Sequence, residues 1–440
     1  MRDDDVRTCL RVLEELATAP DGDPDLERVR KAVSAFVKRN RGRDRALERR
    51  RRAAADAAVL AGTATGATDR EEGAPLAPPD AARTAVVRAR TPLGGLLSCY
   101  VCKAHFDEAD AFYHRLCPPC AEEHHEHRHA RADLTGRRAI VTGGRVKAGF
   151  ELVLKMLRDG ASVTALTRFP ADARRRFAAV PDRGDWWDRL TVTGMDLRDI
   201  PALVRWCDEL NAAGEPLDIL VNLAAQTLRH PPESYAALLE GEGAAAPALA
   251  PAASASVPLL PVATRSGTVD IAGLLPDPSP DNSWTRLVHE IDPIELLEVQ
   301  LINVTAPFLL LGRLRPLLER SPHPRRYVVN VSAVEGQFDR HHKGPEHPHT
   351  NMAKAALNML TRTSASELAG RGVHVTSVDP GWFTDQQPAP DRERRAAAGF
   401  RPPLDVVDAA ARIYDPIVRG ERDGDPPHGC LLKDYRIASW

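Results

Sequence analysis

The chain has 440 residues, with 59 Lys and Arg against 61 Asp and Glu for a formal net charge of −2; 43% of the residues are hydrophobic and 27% are charged. This composition excludes a wholly disordered chain and suffices for about two to three folded domains. A net charge near zero argues against a whole-molecule nucleic-acid binder and leaves open only a local basic patch.

Residues 1–60 read as a helical N-terminal region. The opening MRDDDVRTCLRVLEEL is acidic at once and lacks an apolar core segment, so no secretory leader is expected. Val6, Cys9, Leu10, Val12, Leu13 and Leu16 fall largely on one helical face, and Leu26, Val29, Val33, Phe36 and Val37 form a second stripe, with Asp25 as the expected cap after Pro24. A basic run follows: Lys38, Arg39, Arg41, Arg43, Arg45 and Arg49 to Arg52. It suits an acidic partner or nucleic acid, but Asp44 and Glu48 between the arginines favour a solvated helix face. Residues 61–92, rich in Ala, Thr, Gly and Pro, read as a linker.

Residues 93–130 carry two CxxC pairs, Cys99 with Cys102 and Cys117 with Cys120, 14 residues apart. Four thiolates at this spacing suit a tetrahedral zinc ion, and a site closed by four protein ligands is structural rather than catalytic. Phe106, Phe112 and Tyr113 between the pairs give a core too small to stand without the metal. His105 and His114 are alternative ligands. The histidines that follow, His124, His125, His127 and His129, make a second metal site conceivable, though a solvated linker helix is the better reading. The other cysteines, Cys9, Cys207 and Cys430, are scattered, which fits reduced thiols and a cytoplasmic compartment rather than a disulfide framework.

From residue 131 onward, short β-rich runs alternate with helical segments. The expected strands are Arg138–Thr142, Ser162–Thr167, Leu190–Met195, Ile219–Leu223, Tyr327–Val331, His374–Val378 and, more weakly, Cys430–Leu432. Several are apolar on both faces, which predicts an α/β fold with a Rossmann-type, doubly wound parallel sheet covered by helices on both sides. An Ala- and Pro-rich insertion at about 228–285 interrupts the rhythm and reads as a flap or linker. It contains the longest uncharged run, residues 244–263, but Pro247, Pro251, Pro258 and Pro261 make that run unfit to span a membrane, so no membrane partner is expected.

The segment GRRAIVTGGRVKAGFELVLKMLRDGASVTALTR is strand, glycine-rich turn, amphipathic helix and strand. Thr142, Gly143, Gly144 and Gly149 lie on the turn, where glycines permit close approach of a pyrophosphate to the helix N-terminus.

With these residues the chain resembles the short-chain dehydrogenase/reductase superfamily over about Leu134 to Trp440. TGGRVKAG matches that family's TGxxxGxG, with Lys147 in place of the middle glycine. Asp196 matches the acidic residue that touches adenine, and Asn222-Leu-Ala224-Ala225 stands where the family has NNAG. Asn303 in INVTAPF matches the asparagine of the catalytic helix, and Lys354 matches the lysine of YxxxK. Pro380-Gly381, followed by Thr384, matches the motif that frames the nicotinamide. The resemblance implies a nicotinamide dinucleotide, a small-molecule substrate and the homo-oligomers common in that family. At the end of the second Rossmann strand Thr167-Arg168 replaces the acid that would bind a ribose 2′-hydroxyl, so NADP(H) is favoured over NAD(H), with Arg145 or Lys147 assisting Arg168.

The resemblance fails at the reacting centre. Thr350 stands where the tyrosine belongs, and Ala333 holds the serine position, with Ser332 one residue early and expected to point away. A threonine hydroxyl is far less acidic than a tyrosine phenol, whose pKa is about 10. His347, His349 or Tyr235 can replace the acid, or the hydride acceptor needs none from the protein. Two readings follow. One is an NADP(H)-dependent oxidoreductase using Lys354, Thr350, Asn303 and Ser332. The other is an inactive dinucleotide-binding sensor or adaptor that meets a protein partner through its zinc module or basic helix.

Overall fold

The alternation that begins after Leu134 becomes one eight-stranded sheet. The computed structural model describes residues 2–18, 23–76, 90–243, 269–340 and 343–440. The strands are β3 (Arg138–Thr142), β4 (Ser162–Thr167), β5 (Leu190–Gly194), β6 (Ile219–Asn222), β7 (Arg326–Val331), β8 (Val373–Asp379), β9 (Leu431–Lys433) and β10 (Arg436–Ala438). Their order is β10-β9-β8-β7-β6-β3-β4-β5, parallel except for β10. The winding reverses between β3 and β6, and the crevice outside the carboxyl ends of the strands at that switch point is where such sheets place ligands.

Both faces of the sheet are covered, which explains why β6 and β7 are buried along their whole length. One core contains Leu152, Val153 and Met156 from α4 (Lys147–Arg158), Phe177 from α5 (Pro170–Ala178) and Ile413 and Tyr414 from α12 (Val406–Val418). The opposite core contains Leu203 and Cys207 from α6 (Ile200–Ala213), Leu310 and Leu314 from α9 (Ala306–Arg320), and Ala365 and Leu368 from α10 (Pro348–Ala369). Each fully buried aliphatic side chain contributes about 1.5–3 kcal/mol. Helix α8 (Pro293–Gln300) runs through a π turn, Leu301–Thr305, into α9. This apolar run of 28 residues is long enough to cross a bilayer by composition alone, but half of its most apolar window is buried inside the fold.

The N-terminal region forms α1 (Asp3–Thr18) and α2 (Pro24–Ala61), whose cap is Asp23 rather than Asp25: the Asp23 carboxylate accepts from the amides of Asp25 and Leu26. Neither helix buries a residue, and the basic run is a solvated face, with Arg52 on Glu48. Strands β1 (Arg90–Ser98) and β2 (His105–Asp110) pair antiparallel, and α3 (Pro118–His129) completes the cysteine module.

Three expectations change. Residues 62–76 are not a free linker: Thr63 and Thr65 are buried, and Arg70 donates to the carbonyls of Pro402 and Leu404 at 2.7 and 2.9 Å. Residues 77–89 of the expected linker lie outside the described residues. Helix α3 is not solvated either. Arg128 is buried on Asp405 and Asp408 at 2.5 and 3.0 Å, and His124 meets Arg412 at 2.5 Å. His127 stacks on Tyr435, and His125 lies 3.2 Å from Asp110, so these histidines are engaged within the protein rather than gathered round a second metal. The insertion, finally, carries a short helix, α7 (Ala236–Glu242), with residues 244–268 outside the described set.

Candidate active site

The turn between β3 and α4 is built by close backbone approach. Gly143 has φ +75°, and a Cβ there would lie 2.9 Å from the Ala224 Cα. A Cβ on Gly149 would lie 2.2 Å from the Gly143 carbonyl oxygen, so these positions admit only glycine. Gly144 is nearly as tight, 3.0 Å from Ala165 and Val153. The buried Thr142 hydroxyl accepts from the amides of Leu223 and Ala224, both at 3.0 Å, and so ties this turn to the loop after β6. No side chain caps α4, leaving its first amides directed at the crevice. Lys147 occupies the missing glycine's place at φ +53°, where the positive φ costs a residue with a Cβ about 1–3 kcal/mol. Gly73 and Ile271 lie against one another beside it, and burial lowers the Lys147 pKa.

The cofactor-facing residues divide. Arg168 stacks over the rings of Tyr235 and Phe169 at 5.2 and 5.5 Å and forms no ion pair or hydrogen bond among the described residues. Arg145 does not assist it: its guanidinium is held by Asp172 at 2.6 Å and the Ala272 carbonyl at 2.8 Å. Both oxygens of Asp196 are taken by Arg198, whose guanidinium also reaches Glu298. Asn222, at the end of β6, ties neighbouring strands together, and its buried Oδ1 has no partner among the described residues. Its amide donates to Asn330 at 2.8 Å, Asn330 donates to Thr361, and Ser377 donates to Thr361 in turn, a buried ladder from β6 to α10. Tyr235, held beneath Arg168, sits beyond β4, three strand positions from β7 and therefore away from the reacting centre.

At the other end, Lys354 on α10 donates to the Val331 carbonyl at 2.8 Å, and burial lowers its pKa to about 8. One helical turn earlier, Thr350 is buried and its Oγ1 has no partner among the described residues. Ser332 is likewise buried with an unpartnered Oγ, whereas Ala333 is half-buried, as expected from strand alternation. Neither nitrogen of the buried His349 makes a hydrogen bond; Glu295 is 3.9 Å away, and burial depresses the His349 pKa to about 4. His347 is occupied elsewhere, stacked on Trp284 with Nδ1 2.7 Å from its carbonyl. Asn303, on the π turn, grips both backbone groups of one residue: Gln226 N donates to its Oδ1 at 2.8 Å, and its Nδ2 donates to Gln226 O at 3.0 Å. π turns are frequent at functional sites.

The loop after β8 carries Pro380 and Gly381, the latter at φ +80° with its amide donated to Asp379. Thr384 accepts from Gln386 at 2.9 Å. Two contacts to this loop come from segments whose sequence gave no sign of them: Trp382 N donates to the Tyr100 hydroxyl at 3.0 Å, and Asp385 N to Glu72 at 2.5 Å. In the cysteine module, the sulfurs of Cys99, Cys102, Cys117 and Cys120 all lie within 4.8 Å of one another. A tetrahedral ion with Zn–S distances of about 2.3 Å holds its sulfurs about 3.8 Å apart, which this cluster fits.

A family profile described as enoyl-(acyl carrier protein) reductase matches residues 268–401. The chain is 32% identical over 338 residues to an uncharacterised protein, R665, of Acanthamoeba polyphaga mimivirus, covering 72% of this chain and 71% of that protein. It is 26% identical over 261 residues to the rhamnolipids biosynthesis 3-oxoacyl-[acyl-carrier-protein] reductase of Pseudomonas aeruginosa, covering 58% of this chain and 76% of that one. The chain belongs to the short-chain dehydrogenase/reductase superfamily. Among solved structures it is similar to the Pseudomonas aeruginosa RhlG/NADP active-site complex, with 22% identity, coverage of 69% of this chain and 96% of that one, and a TM-score of 0.46.

Proposed function

We propose that the protein is an NADP(H)-dependent oxidoreductase with an atypical reacting centre. The observation that carries this reading lies on α10: Lys354 is buried on the Val331 carbonyl, and one helical turn earlier the buried Thr350 Oγ1 has no partner among the described residues. A buried polar atom left unpaired costs about 1–3 kcal/mol, so an unpaired hydroxyl beside a buried ammonium is expected where a polar ligand supplies the missing bond.

The residues fit the dinucleotide. The turn from Gly143 to Gly149 and the free α4 amides would hold its pyrophosphate, Arg168 its 2′-phosphate, Lys354 its nicotinamide ribose, and the Pro380–Thr384 loop its nicotinamide. When bound, NADP(H) supplies or accepts a hydride. Asn303 and Thr142 fix the 223–226 loop on either side. Thr350 donates a hydrogen bond to a substrate oxygen without transferring its proton. The Lys354 ammonium, at neutral pH, adds positive charge where an oxygen gains electrons. This arrangement suits a hydride acceptor that needs no strong acid, such as an activated carbon–carbon double bond or a protonated imine. The enoyl reductase description of the matched profile supports the double bond. The four thiolates hold a structural zinc ion, and the free thiols fit a reducing, cytoplasmic compartment. Leu297, Phe308, Met352 and Met359 are more than half exposed on α8, α9 and α10, the surface a homo-oligomer would cover.

The replacement of both tyrosine and serine favours a second reading, a dinucleotide-binding adaptor without turnover. Oxidation of NADPH, followed at 340 nm (about the nicotinamide absorption band) against enones, imines and ketones, separates the two. Turnover on an enone that Lys354→Ala removes supports the enzyme; saturable NADPH binding with no turnover on any class supports the adaptor.

A further inference from the structure

Resting on the dinucleotide reading above, we infer that Tyr100, between the first two thiolates, is a positioning residue for the nicotinamide loop, and that the metal site and the cofactor site are therefore coupled. Tyr100 belongs to the first CxxC turn, and its backbone is fixed on every side. Cys99 N donates to Ala104 O at 2.9 Å, Lys103 N to Cys99 O at 3.2 Å, Tyr100 N to Arg115 O at 2.8 Å, and Cys117 N to Cys99 Sγ at 3.3 Å. From this turn the phenol reaches about 280 residues along the chain to accept the Trp382 amide at 3.0 Å, |i−j| being 282.

Trp382 directly follows Gly381, whose left-handed backbone sets the direction of the loop. The loop is also packed from the same side. The module's core of Cys99, Phe106, Phe112, Leu116, Cys117 and Cys120 includes Leu404, with Phe383 against it. Leu404 Cδ1 lies 2.6 Å from where a Gly381 Cβ would stand, so the side chain abuts the bend itself. Arg70 holds the neighbouring strand of chain in place through the Pro402 and Leu404 carbonyls. Two successive amides of the loop are thus held, Gly381 by Asp379 and Trp382 by the thiolate module.

A metal ion draws four thiolates to one point and fixes the CxxC turn; its removal leaves four sulfurs that repel one another on ionising, and the turn relaxes. The Tyr100 hydroxyl moves with the turn, Trp382 loses its acceptor, and the loop loses the conformation that receives the nicotinamide. By linkage the coupling is reciprocal: the cofactor tightens metal binding by the factor by which metal tightens the cofactor.

The test uses the full chain, as the wild type and Tyr100→Phe, each zinc-loaded or stripped by a chelator. Two quantities are read: the NADPH dissociation constant by calorimetry, and amide hydrogen exchange of residues 380–385 without nucleotide. Zinc-loaded Tyr100→Phe keeps its metal and melting temperature, binds NADPH roughly three- to tenfold more weakly, as loss of one hydrogen bond gives, and exchanges faster over 380–385. Stripping weakens the wild type by at least that factor and adds little to the variant, because both changes break the same link. A zinc-loaded Tyr100→Phe with wild-type affinity and wild-type exchange overturns the inference, as does stripping that weakens both proteins equally. If stripping unfolds the module, the zinc-loaded pair alone decides. Faster exchange in the variant with no NADPH binding by either protein upholds the tether and rejects the dinucleotide reading.

Discussion

Asn303 offers a sharp test of how the site is held together. The residue is 1% exposed and its side-chain amide bonds both the N–H and the C=O of Gln226, at 2.8 and 3.0 Å, while the Gln226 side chain donates to Glu298 at 3.0 Å. Asn303→Leu keeps the volume and removes both bonds. Each of the two bonds is worth about 1 kcal/mol net, and a backbone group left unpaired away from water costs about 1–3 kcal/mol more, so the combined loss is about 3–5 kcal/mol. Asn303→Asp keeps the acceptor for Gln226 N, loses the donor to Gln226 O, and sets a carboxylate against that carbonyl, so it falls at or below the Leu variant in stability at neutral pH and recovers on acidification. Urea unfolding of the wild type and both variants gives the differences, and hydrogen exchange at the Gln226 amide shows whether the loss is local. An Asn303→Leu protein within about 0.5 kcal/mol of wild type, the range of ordinary surface substitutions, would refute the claim that this amide clamps the loop.

Gly149→Ala drives a Cβ to within 2.2 Å of the Gly143 carbonyl oxygen and should cost about 1–3 kcal/mol and abolish most NADPH affinity, whereas Gly42→Ala, with nothing within 4 Å, should leave affinity unchanged; thermal melts and calorimetry compare them. Lys354, its pKa lowered by burial from 10.5 to about 8, stays charged at neutral pH in the folded state. Its buried charge opposes folding fully below pH 8, and stability rises with pH between about 8 and 10.5 as the native state deprotonates first. Lys354→Met should therefore show a stability advantage at pH 7 that shrinks above pH 8, while wild-type NADPH affinity falls through that same range; a flat difference between pH 7 and 10 would reject the buried ammonium. His349 and His374, both pushed by burial to about 4, stay neutral in the folded protein, so stability held above pH 6.5 should fall toward pH 4, and His349→Phe should flatten that acid limb in pH-dependent melts.

Most of the sheet was legible because its strands are short apolar runs bounded by turns. Arg138–Thr142 and Ser162–Thr167 match residue for residue, three strands differ by one residue at one end, β8 and β9 differ by one residue at both ends, and β10 was not foreseen. The four cysteines were legible from spacing, and the fold brings their sulfurs together. What could not be read were pairings across long separations. The polar surface of α3 looked solvated because its partners, Asp405 for Arg128 and Arg412 for His124, lie 277 and 288 residues away. Residues 62–76 looked like a linker because Arg70 and Glu72 engage main-chain groups, which leave no sequence pattern at all. The cross-strand partner of Asn222 was hidden for a related reason. The Asn222 motif is a family feature, but whether an amide at a strand end turns to the crevice or to the adjacent strand depends on the residue opposite, here Asn330. At the reacting centre, spacing located Thr350 and Lys354 on one helix face, but only the fold shows that Thr350, Ser332 and His349 are buried without partners.

The central claim is that the crevice at the β3–β6 switch point holds a phosphorylated nicotinamide dinucleotide with Arg168 on its 2′-phosphate. Calorimetric titration of one preparation with NADPH and with NADH, repeated on Arg168→Ala, tests it most directly. A charge-assisted hydrogen bond is worth about 1.5–3 kcal/mol, so wild type should prefer NADPH by roughly 10- to 150-fold, and Arg168→Ala should lose that preference while its NADH affinity is unchanged. Equal affinities for the two nucleotides in wild type, or a preference that survives in Arg168→Ala, would contradict the account.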